Sequence, residues 1–266
     1  MSLSALIFVG AFIAACVLAF KRHPVFGLVA YIGTFYLSPQ MRWWGQGALY
    51  PIRWALLSAA ITLIAVYWSK KVQRPVVPLL SQGMMWLYLM FVVWMMVQTA
   101  WALDGREHAD LLGYYLKFCL SIVLVYYCVD SPFALRLVLW SVVGGCFYFG
   151  WIAFTTYLGG RFEGFGGAGI GEANAGALAL AIGVLAASSL WLEGSFKEKC
   201  VLFVAIPFML NGIVTTISRS GLLSLAAGAL VFIFFSPRQH RKQIRVPSVL
   251  AVTLFLIVAG PSYWNR

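Results

Sequence analysis

The chain has 266 residues, of which 62% are hydrophobic, 16% aromatic and only 10% charged, and its mean hydropathy is +0.88. A water-facing surface needs roughly 25% charged residues, so this composition excludes a soluble globular domain and points to a bilayer as solvent. The formal charge of +11 does not indicate nucleic-acid binding, because the basic residues sit in short clusters between apolar runs, as membrane loops do.

Apolar runs predict membrane spans near 2–20, 25–38, 52–68, 84–103, 111–129, 133–158, 174–192, 200–216, 221–236 and 247–264. The expected fold is an all-α polytopic membrane protein of about ten transmembrane helices, with 1–266 forming one transmembrane domain. The first run lacks a basic start and carries Lys21-Arg22 on its far side, unlike a signal peptide. The 25–38 run is the shortest and allows a re-entrant segment. As a single helix, 199–236 would be roughly 57 Å long, nearly twice the hydrocarbon thickness. It must turn, and Thr215-Thr216-Ile217-Ser218-Arg219-Ser220-Gly221 is the polar break that permits it.

With ten spans, Lys21, Arg22, Lys70, Lys71, Arg74, Arg136, Lys197, Lys199, Arg238, Arg241, Lys242 and Arg245 fall on one side. Arg42, Arg53, Arg106, Arg161, Arg219 and Arg266 fall on the other. The first set is twice as large, which makes its side cytoplasmic and puts both termini outside. Cys16, Cys119, Cys128, Cys146 and Cys200 show no paired spacing, and His23, His108 and His240 are scattered. No metal site or disulfide framework is expected.

The outer side carries the unusual residues. The glycine-rich stretch 159–174 holds Arg161, Glu172 and Asn174. It reads either as a loop ending in a helix cap or as one that closes over a polar ligand; no Gly-Lys-Ser/Thr follows, so it is not a P-loop. At Ser218-Arg219-Ser220-Gly221 an arginine and two hydroxyls stand at a helix start, a combination suited to a phosphate or diphosphate. The plainer alternative is a snorkelling arginine with serine caps. Lys117 lies about two turns inside its span, a functional candidate or a snorkelling lysine. Arg42 sits among Trp43 and Trp44, within reach of lipid headgroups.

Thr215–Leu223 resembles the "T-x-SRG" signature of the O-antigen ligase and polymerase superfamily. Gly171-Glu172-Ala173-Asn174-Ala175-Gly176-Ala177-Leu178-Ala179-Leu180 resembles the "G-D-N-N-A-L-A-L" segment of its exosortase-associated O-glycosylation ligase branch. Ser38-Pro39-Gln40-Met41-Arg42-Trp43-Trp44-Gly45 echoes that branch's "N-P-x-x-L-x-W-G". The resemblance implies a GT-C-like bacterial inner-membrane glycosyltransferase. Such enzymes transfer a glycan from undecaprenyl diphosphate to a lipid, protein hydroxyl or glycan acceptor on the periplasmic face, with no metal or other cofactor. Arg219 would be catalytic, gripping the diphosphate leaving group. Ser218, Ser220, Arg161, Glu172, Asn174, Lys117 and Arg42 would bind the donor. The family's large periplasmic loop with its histidine, and the helices beyond it, have no counterpart here, so the chain is expected to be the N-terminal part of a longer enzyme. Two alternatives belong to other classes: a transporter or flippase for a lipid-linked glycan, which predicts internal repeats and midplane polar residues, and a non-catalytic partner in envelope polysaccharide assembly.

Overall fold

The computed structural model describes residues 2–47, 49–69, 77–156, 159–164 and 170–235. Within them every regular element is helical: α1 (Leu3–Lys21), α2 (Val25–Leu37), α3 (Trp54–Trp68), α4 (Gly83–Gln98), α5 (Gly105–Cys128), α6 (Pro132–Thr156), α7 (Ala173–Glu193), α8 (Phe196–Thr215) and α9 (Arg219–Phe235), with short 3-10 turns at Pro39–Met41 and Leu79–Ser81. The expected span 247–264 and the basic run 238–245 lie outside the described residues.

Five helices, α1, α5, α6, α7 and α8, are long and apolar enough to cross a membrane, and the chain is a membrane protein. The other four are shorter. α2 has 13 residues and rises about 20 Å, less than the ~30 Å hydrocarbon core. On α4, Met84, Trp86, Leu87, Met90 and Trp94 are all more than half exposed, an arrangement that lipid tolerates and water does not.

Helix boundaries follow capping chemistry more closely than hydropathy. α5 begins at Gly105, six residues before the apolar run, because the Asp104 carboxylate accepts from the backbone N–H of Arg106 (2.9 Å) and Glu107 (3.0 Å). α8 begins at Phe196 because Ser195 and Glu198 form a reciprocal capping box. α4 ends at Gln98, short of the expected 103, in a turn where the Thr99 N–H donates to the Met96 carbonyl. The 199–236 stretch turns where its polar break stands, at residues 216–218.

The structure divides into two compact units, with the divisions inside α2 and α6. One takes the chain up to Tyr31 together with Ile52–Val138; the other takes Ile32–Pro51 and the chain from Leu139 onward. In the first, Phe8 and Phe12 of α1 pack edge-on against Trp54 of α3 at 5.1 and 5.0 Å. His23, after α1, meets Asp130, after α5, at 3.2 Å. The Val25 N–H donates to His23 Nδ1, so the Nε2 proton is the one given to Asp130.

In the second unit the buried core gathers Cys146 and Phe149 of α6, Leu180 of α7, and Met209 and Ile213 of α8. α7 is the innermost, with 56% of its apolar window buried. Its alanines and glycines let neighbours approach closely, as membrane helix packing requires. α6 and α8 both run toward the end of the unit where α7 and α9 begin. They touch at Gly150, where a Cβ would lie 2.4 Å from the Phe208 carbonyl oxygen.

Gly150→Ala should therefore cost about 1–3 kcal/mol by forcing two backbones apart, read as a fall in thermal unfolding temperature in detergent. Gly10→Ala, where nothing lies within 4 Å of the added carbon, should be neutral or stabilise by up to about 1 kcal/mol.

Candidate functional site

The α8–α9 turn is the site's frame. α8 closes with the Thr216 N–H donating to the Gly212 carbonyl at 3.2 Å, and the Ile217 N–H donates to Val214 at 3.0 Å. Ile217 then adopts φ +51°, a left-handed conformation that a β-branched residue takes at a cost of order 1–3 kcal/mol. Its side chain, like those of Val214 and Leu222, packs against a small apolar cluster. The reversal delivers Ser218, 1% exposed, to the start of α9, where its Oγ accepts from the Gly221 N–H at 3.1 Å and caps the helix.

The 159–164 segment is placed by one apolar residue. Gly159 and Gly160 have φ of +99° and +87°, turns that only glycine makes cheaply. Phe162 is buried against Phe149, ring centroids 5.4 Å apart, and its N–H donates to the Thr215 carbonyl at the end of α8 (3.0 Å). This anchor sets Arg161 beside the α8–α9 turn. The Gly164 N–H donates to the Gly171 carbonyl at 2.6 Å, and Ile170 is buried, so the chain re-enters the same spot before α7. Residues 165–169 lie outside the described set.

Asn174, in the first turn of α7, joins these parts. Its Oδ1 accepts from Arg161 Nη2 at 3.1 Å, from Ser218 Oγ at 2.9 Å and from Ser220 Oγ at 3.4 Å. Ser218 Oγ and Ser220 Oγ are also 2.9 Å apart. On the other side Asn174 Nδ2 donates to Glu172 Oε1 at 3.4 Å, and Arg161 Nε pairs with Glu163 at 3.8 Å. Glu172 occupies the cap position of α7, but its carboxylate caps no backbone N–H; the cap reading of this residue gives way to a bond with a neighbouring amide.

α7 and α9 start side by side because Gly221 has no side chain: a Cβ there would lie 2.4 Å from the Ala177 Cβ. The positive ends of two helix dipoles are thus adjacent. Arg219 is exposed, and its side chain makes no hydrogen bond or ion pair with another described residue. Guanidinium forks, hydroxyls and helix-start N–H groups together form a surface that favours an anion with several oxygens, such as a phosphate or diphosphate.

Six of the predicted site residues, Arg161, Glu172, Asn174, Ser218, Arg219 and Ser220, are brought together here. Arg42 instead serves its own loop. It is 6% exposed, its Nε donates to the Leu37 carbonyl at 3.0 Å, and its guanidinium carbon lies 5.3 Å over the Tyr148 ring. Burial lowers its pKa from the usual value, opposed by Tyr148, and it stays charged. Lys117 belongs to the other unit; it is exposed, with its Nζ 4.9 Å from the Tyr114 ring, the posture of a lysine reaching back along its helix. The sequence reading missed Phe162 and the Ala177–Gly221 contact, although a lone phenylalanine between Arg161 and Glu163 in a glycine-rich loop is a signal of anchoring.

Comparison of the chain with protein-family models, curated proteins and solved structures finds no match to any of them.

Ser218→Ala removes both the α9 cap and a donor to Asn174. It should lower stability by about 1–2 kcal/mol, measured by thermal unfolding in detergent, whereas Ser224→Ala, further along α9, should stay within about 0.5 kcal/mol.

Proposed function

We propose that this chain carries the donor site of a membrane glycan ligase, which takes a glycan from undecaprenyl diphosphate and transfers it to an acceptor on the periplasmic face of the bacterial inner membrane. The observation that carries this reading is the Asn174 hub. One amide oxygen gathers Arg161, Ser218 and Ser220 and thereby brings two helix starts and Arg219 to one surface.

The chemistry follows from where charge develops. In glycan transfer the acceptor hydroxyl attacks the anomeric carbon as the bond to the diphosphate oxygen breaks, leaving negative charge on the departing diphosphate. A guanidinium with a planar fork of donors stabilises that charge as it forms. Arg219 supplies it, and Arg161, set by Asn174, flanks it. Ser218 keeps the end of α9 in place, and Ser220 offers a hydroxyl to a phosphate oxygen. Glu163 offsets part of the charge of Arg161, and Glu172 accepts from the Asn174 amide nitrogen. The donor's lipid would remain in the bilayer alongside apolar helices.

The same reading adopts the ten-span arrangement with both termini periplasmic, the GT-C-like class and the exosortase-associated branch. It is supported by the resemblance of 38–45, 171–180 and 215–223 to that branch's segments, and by the fact that the second and third of these meet at the Asn174 hub.

Arg219→Ala in the full-length protein should abolish glycan transfer from the lipid carrier, a loss of at least about 100-fold, while expression and thermal unfolding stay normal. Unchanged transfer would defeat the proposal. In a separate measurement, a cysteine at position 219 should react with a membrane-impermeant maleimide added outside intact spheroplasts; protection there with reaction after lysis would place the site on the wrong side of the membrane.

A further inference from the structure

The second unit also holds a groove far from the Asn174 hub. It is about 540 Å³ and is lined by Trp140, Val143, Gly144 and Phe147 of α6 and by Cys200, Val201, Val204 and Ala205 of α8. That is the size of a ligand site, and its almost wholly apolar lining suits hydrocarbon. The α6 residues recur at i, i+3, i+4 and i+7, one continuous helix face. On α8 the same spacing runs Lys197, Cys200, Val201 and Val204. A cation therefore stands at one end of the apolar face, one turn beyond the groove.

Trp140 lies at that end too, since α6 and α8 run in the same direction. Its indole suits a membrane–water boundary. Lys197 stands in the first turn of α8, where the helix dipole disfavours a cation unless an anion lies nearby. The adjacent Glu198 does not supply one on this face. Its carboxylate turns back to accept from the Ser195 N–H and Oγ at 2.7 and 2.8 Å. Val201 and Val204 are 56% and 54% exposed, so the groove opens sideways toward lipid. Gly144 keeps it open, with nothing within 4 Å of where its Cβ would stand.

We propose that this groove holds one acyl chain of an anionic phospholipid, whose phosphate is met by Lys197. The site is independent of glycan transfer and survives or fails separately from it. Full-length protein would be purified from nanodiscs of equal phosphatidylglycerol and phosphatidylcholine, and its retained lipid read by native mass spectrometry. Wild type should keep phosphatidylglycerol over phosphatidylcholine by about fivefold, the worth of one lysine at an anionic surface. Lys197→Gln should bind both lipids alike. Gly144→Leu, whose Cβ would meet nothing within 4 Å, puts a side chain into the groove and should lose the retained lipid at an unchanged unfolding temperature. Retention by Gly144→Leu equal to wild type, or an undiminished preference in Lys197→Gln, overturns the proposal. So does displacement of phosphatidylglycerol from wild type by an equal amount of undecaprenyl phosphate, which would assign the groove to an isoprenoid chain.

Discussion

The contact between Gly221 and Ala177 is the constraint on which the polar end of the second unit depends. With no side chain at 221, α9 can begin directly against the first turns of α7. Only at that separation can Ser218 and Ser220 reach the oxygen of Asn174. Any larger residue at 221 pushes the helix starts apart and strands a buried serine. A backbone approach thus decides an electrostatic arrangement. The Asn174 oxygen ties the two helix starts together through side chains, accepting from Ser218 and Ser220 at the start of α9, while Ser218 Oγ accepts from the Gly221 N–H.

The site also rests on strain that the core absorbs. Ile217 sits in a left-handed conformation that its branched side chain opposes. Phe162 ties the preceding loop to the carbonyl of Thr215, the last residue of α8. The loop and the turn therefore brace each other, and the buried Phe149 beneath Phe162 connects both to the core. Polar groups at this end are positioned by apolar burial a few residues away.

Much of this was legible in the sequence, because hydropathy fixes where lipid must be met. The runs behind α1, α6 and α7 are nearly coextensive with their helices, and the polar break after Thr215 is where α8 and α9 part. Hydropathy fails at helix ends, which are decided by capping. Asp104 extends α5 into charged residues, and the Ser195–Glu198 box does the same for α8. The motif residues on either side of the α7 start were recognisable by type, but their meeting with Ser218 depends on a contact between residues 44 apart, which no local pattern encodes. Arg42 and Lys117 make their contacts elsewhere, which charge alone does not reveal. Both carry the right charge, yet burial under Tyr148 holds one in its own loop, and the other lies on an exposed stretch of α5.

The His23–Asp130 clasp has a consequence for how the chain is made. Its partners are 107 residues apart, so at synthesis rates of about 5–20 residues per second the histidine waits roughly 5–20 s for its carboxylate. Until then the turn after α1 is secured by local bonds, among them the Val25 N–H on the imidazole and the His23 N–H on the Leu18 carbonyl. The aspartate follows directly on α5, and only the first residues of α6, up to Val138, remain to be added to the first unit. Ribosome timing is thereby written into the order of assembly: the early hairpin inserts first and is locked only when the fifth helix has left the exit channel.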